Sequence, residues 1–359
     1  MAATPETVKK LVKAGLAVEV EAGAGVTAGF PDRLYTDAGA TLGDGWETAD
    51  VVLAVTAPEP ARLARLRSGA VLAALLDPYK DLELVKALAG GGVSSFSMEL
   101  VPRVTRAQDI DVLSSQASIA GYKAVILAAS RLGKYFPLLM TAAGTIQPAR
   151  VVILGAGVAG LQAIATAKRL GAVVEVSDIR AAVKEQVESL GGKFIELPEM
   201  PSGEGQGGYA KEMTPEFLEK QRALLTQRVA LADVVVTTAQ VPGRKAPTLL
   251  TRAMVEVMKP GAVVVDIAAA QGGNCELTQV DQEVNHGGVL ILGPGNLPAT
   301  MAHDASLVYA RNLLALLMLL WKDGQLAVRE EDEVVKGTLL THGGKVVNAT
   351  VTGLLEGAR

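Results

Sequence analysis

A chain of 359 residues, 49% hydrophobic and 20% charged, is too long for one ordinary core and points to two domains. Its net charge of -4 gives no electrostatic footprint for nucleic acid, so that partner class is excluded. A single cysteine, Cys275, excludes an intrachain disulfide framework and fits a reducing compartment, and with only three histidines, all far apart, it speaks against a zinc site.

The opening MAATPETVKK has no apolar h-region and does not read as a signal peptide. Thr4-Pro5-Glu6 is a helix entry: Thr caps, Pro takes the first helical position, and Glu sits near the positive end of the dipole. That helix is expected over 4–14, stopped by Gly15, and the alternating LAVEVEAG over 16–23 reads as a strand. A short helix near 32–38, a strand at 51–55, a helix from Pro60, a strand at 70–74, a helix at 82–89 and a strand at 93–97 follow. Then comes RVTRAQDIDVLSSQ, where Arg103, Arg106, Gln108, Asp109, Asp111, Ser114, Ser115 and Gln116 crowd ahead of an apolar helix. On composition alone this is a solvated interdomain loop.

From residue 151 the alternation is clearer. Strands are expected at 151–154, 173–177, 193–197, 234–238, 262–267 and 289–292, with helices at 158–170, 181–190, 215–230 and 247–258. Helix and strand alternating at short spacing predict parallel sheets covered on both faces. Amphipathic helices at 118–132 and 304–320 bracket this half and read as crossings between domains. The domains are then 1–120 plus 305–359, and 121–304. The apolar run LLALLMLLW at 313–321 is far short of the ~18–20 residues of a membrane span and reads as a buried helix.

VVILGAGVAGLQAIATAKRLGAVVEVSD carries Gly155, Gly157 and Gly160 in the spacing GxGxxG, after a strand and at the start of a helix. Gly155 permits the tight turn, Gly157 lets the backbone approach a pyrophosphate, and Gly160 lets helix and strand pack closely. Ala156, Val158 and Ala159 complete the turn, whose amides and helix dipole suit phosphate. Asp178 ends the next strand, where it can accept from ribose hydroxyls and repel a 2′-phosphate, favouring NAD(H) over NADP(H). Ile179 follows it, and Thr238 and Ala239 at a later strand end are further cofactor-binding candidates. Arg180 reads as a solvated first-turn residue, with adenine stacking as the alternative. The Gly-rich stretch PEMPSGEGQGGYAKEM, 198–213, reads as a lid with Tyr209 at its tip, or as plain disorder.

RAQDIDVLSSQASIAGYKAV, MTAAGTIQPARVVILGAGVAGLQAIATAKRLGAVVEVSDIR, KEQVESLGGKF, GGYAKEM, QGGNCELT and DASLVYARNLL together resemble the NAD(H)-binding component (domain I, alpha subunit) of proton-translocating NAD(P) transhydrogenases. The resemblance covers nearly the whole chain. It implies two Rossmann-like, doubly wound parallel-sheet domains joined by long crossover helices, with NAD in the cleft between them. It implies a homodimer that passes a hydride directly between NAD(H) here and NADP(H) on a partner component. A transmembrane proton-channel component couples that transfer to proton movement. The chain would be cytoplasmic and held at the inner face of the bacterial plasma membrane by its partners, which it needs for turnover. Arg103 and Asp111 would orient the nicotinamide and its carboxamide, Gln108 would reach towards the NADP(H) side, Ser114 would follow them, and Tyr209 matches the family's mobile-loop Tyr. Such a reaction moves no O–H or N–H proton, so it needs alignment and dryness, not a general base. None of His286, His303 and His342 is then needed for catalysis.

Alanine dehydrogenase shares the resemblance and is the competing reading. It needs a carboxylate clamp and proton-transfer groups. Its Arg lies in an N-terminal strand and turn absent here, its Lys falls near Ala54 and Thr56, its His near Asp77, and its Asp at Ala270. None of the four groups is present. Relatives also begin about one strand earlier than Met1, with a basic approach to the same TPE helix. The expectation is that the native chain starts upstream.

Overall fold

A computed structural model describes residues 1–196, 215–241 and 243–357. The chain divides into one unit of Met1–Gln116 with Met301–Arg359 and another of Ala117–Thr300. The first unit opens with α1 (Pro5–Lys13), β1 (Glu19–Val20), α2 (Asp32–Thr36) and β2 (Thr41–Leu42). The strand expected over 16–23 shrinks to β1, because its partner β2 offers two residues and Gly23 then turns the chain at φ 77°. Next come β3 (Val51–Thr56), α3 (Pro60–Leu63), β4 (Val71–Leu75), α4 (Leu82–Gly90) and β5 (Ser94–Ser97), all three strands parallel. A 3-10 turn at Thr105–Ile110 leads into α5 (Val112–Arg131). This helix starts well before the expected 118, because the Asp111 carboxylate accepts the amide of Ser114 at 2.9 Å and caps it.

The second unit holds β6 (Leu139–Thr141), β7 (Gly144–Ile146), β8 (Arg150–Leu154), α6 (Val158–Arg169), β9 (Val173–Ser177), α7 (Lys184–Ser189), β10 (Lys193–Phe194) and α8 (Pro215–Val229). It continues with β11 (Val234–Thr237), α9 (Arg252–Glu256), β12 (Val263–Asp266), β13 (Glu283–His286) and β14 (Val289–Leu292). Seven strands run in the order β10-β9-β8-β11-β12-β14-β13, all parallel except the edge strand β13. Valine makes this sheet. Its β-branched side chain suits the pleat, and burial on both faces needs no polar alternation. Val151, Ile153, Val234, Val236, Val263 and Val265 pack with α5 and α6, while Val152, Leu154, Val235 and Val264 pack with α8 and α9.

The chain then returns to the first unit through α10 (Ala302–Leu320), β15 (Trp321–Lys322), β16 (Gln325–Leu326), α11 (Glu333–Thr338), β17 (Leu339–His342), β18 (Lys345–Val346) and α12 (Ala349–Gly357). Its sheet runs β18-β17-β5-β4-β3, with the β17–β18 hairpin added antiparallel to β5. Val71 and Ala73 face Tyr309, Leu313, Leu316 and Leu320 of α10, and Leu72 and Ala74 face α4. The apolar run at 313–321 is therefore largely core. Ala107 and Ile110 of the 3-10 turn join the same cluster as α10.

Asp233, at the start of β11, is a polar anchor of the second unit. Its carboxylate accepts from Lys134 Nζ at 2.9 Å, Lys259 Nζ at 3.1 Å and the Arg150 amide at 2.8 Å. Burial pushes its pKa up, but these three donors outweigh that and hold it below the ordinary value. A depressed folded pKa stabilises above the ordinary carboxylate range, and the contribution is lost as pH falls through the folded value. Asp233→Ala is expected to cost about 1–3 kcal/mol at pH 7, since both lysines are part-exposed. Denaturant titrations at pH 7 and pH 3 check it: the difference from wild type should shrink at the lower pH.

Candidate functional site

At the carboxyl end of β8 the chain turns through Gly155, whose φ of 107° no L side chain adopts readily. Its amide donates to Ser177 O at 2.8 Å, tying the turn to β9. A Cβ on Gly155 would lie 2.6 Å from Thr238 Oγ1, and one on Gly160 would lie 2.0 Å from Gly155 O. A Cβ on Gly121 of α5 would lie 2.0 Å from Ala159 O, so α5 and α6 also meet backbone to backbone. Gly157 is different. It caps α6 at φ -74°, and a Cβ there would meet nothing within 4 Å. Neither backbone conformation nor packing demands glycine at 157, but a molecule lying against the backbone there would. Ala156 and Ala159 are buried and Val158 is exposed at the first turn of α6. The turn therefore fits a pyrophosphate resting on the start of a helix.

Asp178 is buried beyond the end of β9, with Ile179 half-buried after it. Its Oδ2 accepts from the Ala156 amide at 2.7 Å and Arg180 Nη2 at 2.8 Å. Its Oδ1 accepts from the Arg180 amide at 2.8 Å and Nε at 2.9 Å. Arg180 is thus not a solvated turn residue: its guanidinium folds back onto the acid. Two corrections follow. Four donors fill about what a carboxylate accepts, so ribose hydroxyls compete with Arg180 for Asp178. The guanidinium also offsets the carboxylate's charge, so its bias against a 2′-phosphate is weaker than that of a lone acid.

Across the sheet from Asp178, the segments after β11 and β12 are bound to each other. Thr238 Oγ1 donates to Gly155 O at 3.0 Å. The Ala239 amide donates to Asn274 Oδ1 at 3.0 Å, and Asn274 Nδ2 donates to Ala239 O at 2.9 Å and Pro247 O at 2.8 Å. Asp266, fully buried, accepts from Thr237 Oγ1, Thr278 Oγ1 and the amides of Ala268, Asn274 and Cys275. Burial pushes the Cys275 thiol up, so it stays protonated at neutral pH and offers no nucleophile. Sequence reasoning missed Asn274 and Asp266. Their signal was an acid at the end of an apolar strand and an Asn directly after Gly272-Gly273, in a stretch otherwise used only for the resemblance and for Ala270.

In the first unit, much of the polar density over 103–116 has a local explanation. Asp111 accepts from Ser114 through both the amide and Oγ, the latter at 2.6 Å. Ser115 Oγ donates to Asn312 Oδ1 at 2.8 Å, and Asn312 Nδ2 donates to Asp109 O at 2.7 Å. Arg106 Nη2 donates to Asp332 Oδ2 at 2.7 Å and holds that carboxyl below its ordinary range. Arg103 and Gln108 are exposed, Gln108 on a turn whose Ala107 and Ile110 are buried. Tyr209 and the stretch 198–213 lie outside the described residues.

Residues 1–120 match the Alanine dehydrogenase/PNT N-terminal domain, and residues 124–349 match the Alanine dehydrogenase/PNT C-terminal domain. The chain belongs to the alanine dehydrogenase/PNT family. The first portion of the NAD(P) transhydrogenase alpha subunit from Rhodospirillum rubrum is 47% identical over 366 residues, 98% of this chain and 95% of that protein. A solved transhydrogenase from Sinorhizobium meliloti is 49% identical, with a TM-score of 0.88 over 96% of this chain and 95% of that one. A solved L-alanine dehydrogenase is 27% identical, with a TM-score of 0.83 over 100% and 96%. Of the positions read against amino-acid chemistry, Ala54 and Asp77 make contacts of their own. Ala54 O accepts from the Tyr309 hydroxyl at 2.9 Å, and burial pushes that phenol up, so it is a donor and not a base. Asp77, at φ 45°, pairs with Lys80 Nζ at 3.0 Å. His303 bonds Ala28 O through Nδ1 and stacks on Phe30, His286 meets Glu256, and His342 Nδ1 meets Ser94 Oγ.

The glycines separate fold from ligand. Gly160→Ala drives a Cβ into a carbonyl and is expected to cost about 3 kcal/mol. Gly157→Ala is expected to change stability by no more than about 0.5 kcal/mol and yet weaken dinucleotide binding on the order of tenfold. Thermal denaturation and equilibrium binding on the two variants check this.

Proposed function

We propose that this chain is the NAD(H)-binding component of an NAD(P) transhydrogenase. It passes a hydride directly between NAD(H) bound here and NADP(H) bound on a partner component, and a transmembrane proton-channel component couples that transfer to proton movement. The reading is carried by likeness along nearly the whole chain to proteins named NAD(P) transhydrogenase, together with alanine at 54 and 270, where proton-handling groups would serve a dehydrogenase. The glycine turn supports the nucleotide: a Cβ at Gly157 would meet nothing within 4 Å, so the space over its backbone is open to a bound molecule.

In this reading Gly155, Ala156, Gly157, Val158, Ala159 and Gly160 receive the pyrophosphate. Asp178, Ile179 and Arg180 receive the adenosine, and Thr238 and Ala239 line the far side. Arg103 and Asp111 orient the nicotinamide and its carboxamide, with Ser114 behind them, and Gln108 faces the NADP(H) component. Tyr209 closes over the cofactor. The cofactor supplies the hydride chemistry when bound; these residues hold, align and dry the ring. No residue moves a proton, which is why the histidines serve packing and hydrogen bonding elsewhere.

A homodimer is supported by the β6–β7 hairpin, which exposes Leu138, Met140 and Ile146, with Met140 at 74%. A second copy covering this arm removes that apolar surface from water. The assembly works in the cytoplasm, held at the inner membrane face by its partners.

Mixed with an NADP(H)-binding component, this chain is expected to support hydride transfer from NADH to an NADP analogue. Gln108→Asn should slow that transfer by at least about tenfold and leave the NADH dissociation constant within about twofold. Equal loss in both would make Gln108 structural. NADH oxidation by pyruvate and ammonia with this chain alone would sink the whole reading. Met140→Asp should shift the chain from dimer to monomer in light scattering at micromolar concentration.

A further inference from the structure

We propose that Asn274 is a positioning residue for the dinucleotide, acting through Ala239 and Thr238. This rests on the reading that NAD(H) binds at the glycine turn. Strand order reverses between β8 and β11, so the crevice beyond their carboxyl ends is where such a sheet takes a ligand. One wall is the glycine turn after β8, held in place by its own backbone packing. The other is the chain after β11, where Thr238 and Ala239 are half-buried and Gln240 is exposed.

Asn274 holds that second wall. It is fully buried, so it acts without reaching the ligand. Its amide takes the Ala239 N–H and gives to the Ala239 C=O, fixing that peptide from both directions. Its remaining donor goes to Pro247 O. Only a carboxamide has one acceptor and two donors in this geometry, and an aspartate would face two carbonyls with nothing to donate. Asn274 is itself fixed, because Asp266 Oδ2 accepts its backbone amide at 2.8 Å. Thr238 then ties this wall to the other through Gly155 O at 3.0 Å. The chain of contacts runs from the end of β12, through Asn274, to the loop after β11 and the glycine turn. A second consequence is that Ala239 has both backbone polar groups engaged within the protein, so its contact with the cofactor is principally through its methyl group.

The arrangement predicts a split between halves of the cofactor. Asp178 follows β9, on the opposite side of β8 from β11, so the adenosine half is one strand removed from the Asn274 wall and depends on it less than the whole dinucleotide does. The experiment is calorimetric titration of the full chain with NADH and, separately, with 5′-AMP. Asn274→Ala is expected to weaken NADH binding by about tenfold or more and leave 5′-AMP within about twofold. Thr238→Val should show the same split in smaller measure, and Thr238→Ser, which keeps the hydroxyl, should restore NADH binding. NADH binding by Asn274→Ala equal to wild type, or equal losses for NADH and 5′-AMP, overturns the proposal. Where Asn274→Ala does not fold, the threonine pair decides: no split in Thr238→Val, or no rescue in Thr238→Ser, overturns it. Wild-type chain that binds 5′-AMP but not NADH, or neither, overturns the underlying reading of the site.

Discussion

The second unit depends on one close approach: helix α6 against the end of the strand that precedes it. At Gly160 a side chain would overlap the carbonyl of Gly155, and at Gly121 one would overlap the carbonyl of Ala159. Three backbone segments therefore converge where only glycine leaves room. The convergence is made possible by the valine-rich strands beneath it. With both faces of β8, β11 and β12 buried, the strand ends are held by the core and the turn above them has little freedom. Rigidity at the start of α6 is what a phosphate-binding helix end needs, because amides that must first be ordered bind less tightly.

The central strands are legible in the sequence. RVVIL, VVVT and VVVD are short runs dominated by β-branched residues, and VVEVS keeps Val174 and Val176 on one face. Elements held only by tertiary pairing are not legible. β1 has two residues because its partner does, and β13, β17 and β18 add antiparallel edges through short mixed segments with no strong period. The start of α5 is hidden because Asp111 reads as a ligand-chemistry residue and not as a cap, although Asp followed three residues later by Ser allows such a cap. At the site, the glycines and Asp178 are readable because their spacing is fixed by the turn. Arg180 is not, since whether a long side chain folds back on its neighbour is decided by the backbone at 178–180. Asn274 escapes for a similar reason: its three partners lie 27 and 35 residues away in the chain, and no local pattern links them.

Electrostatics at the site is more balanced than its residue types suggest. Asp178 is neutralised by Arg180, and Asp266 is surrounded by five donors without a cation among them. The two acids do different work. One is buried beyond the end of β9 and pairs with a guanidinium. The other is sealed in the core, where it shapes a loop and would be costly to replace. The paired one could take a ligand's donors in place of Arg180's, because swapping one set of donors for another costs less than desolvating a bare carboxylate.

This balance bears on the polar stretch at 103–116. Two groups of hydrogen bonds, Asp111 with Ser114 and Ser115 with Asn312 and Asp109 O, fix the start of α5. Arg106 is pinned to Asp332, and Ala107 and Ile110 are pinned in the core. Gln108 stands exposed on a turn fixed from both sides. A general base requires a tuned pKa, but a residue that orients a ring requires a fixed position and little else. The local bonds therefore do not compete with a role in hydride transfer. They are what would make one exposed amide an accurate positioning group, since a loop braced by its own polar residues loses less freedom when a nicotinamide arrives.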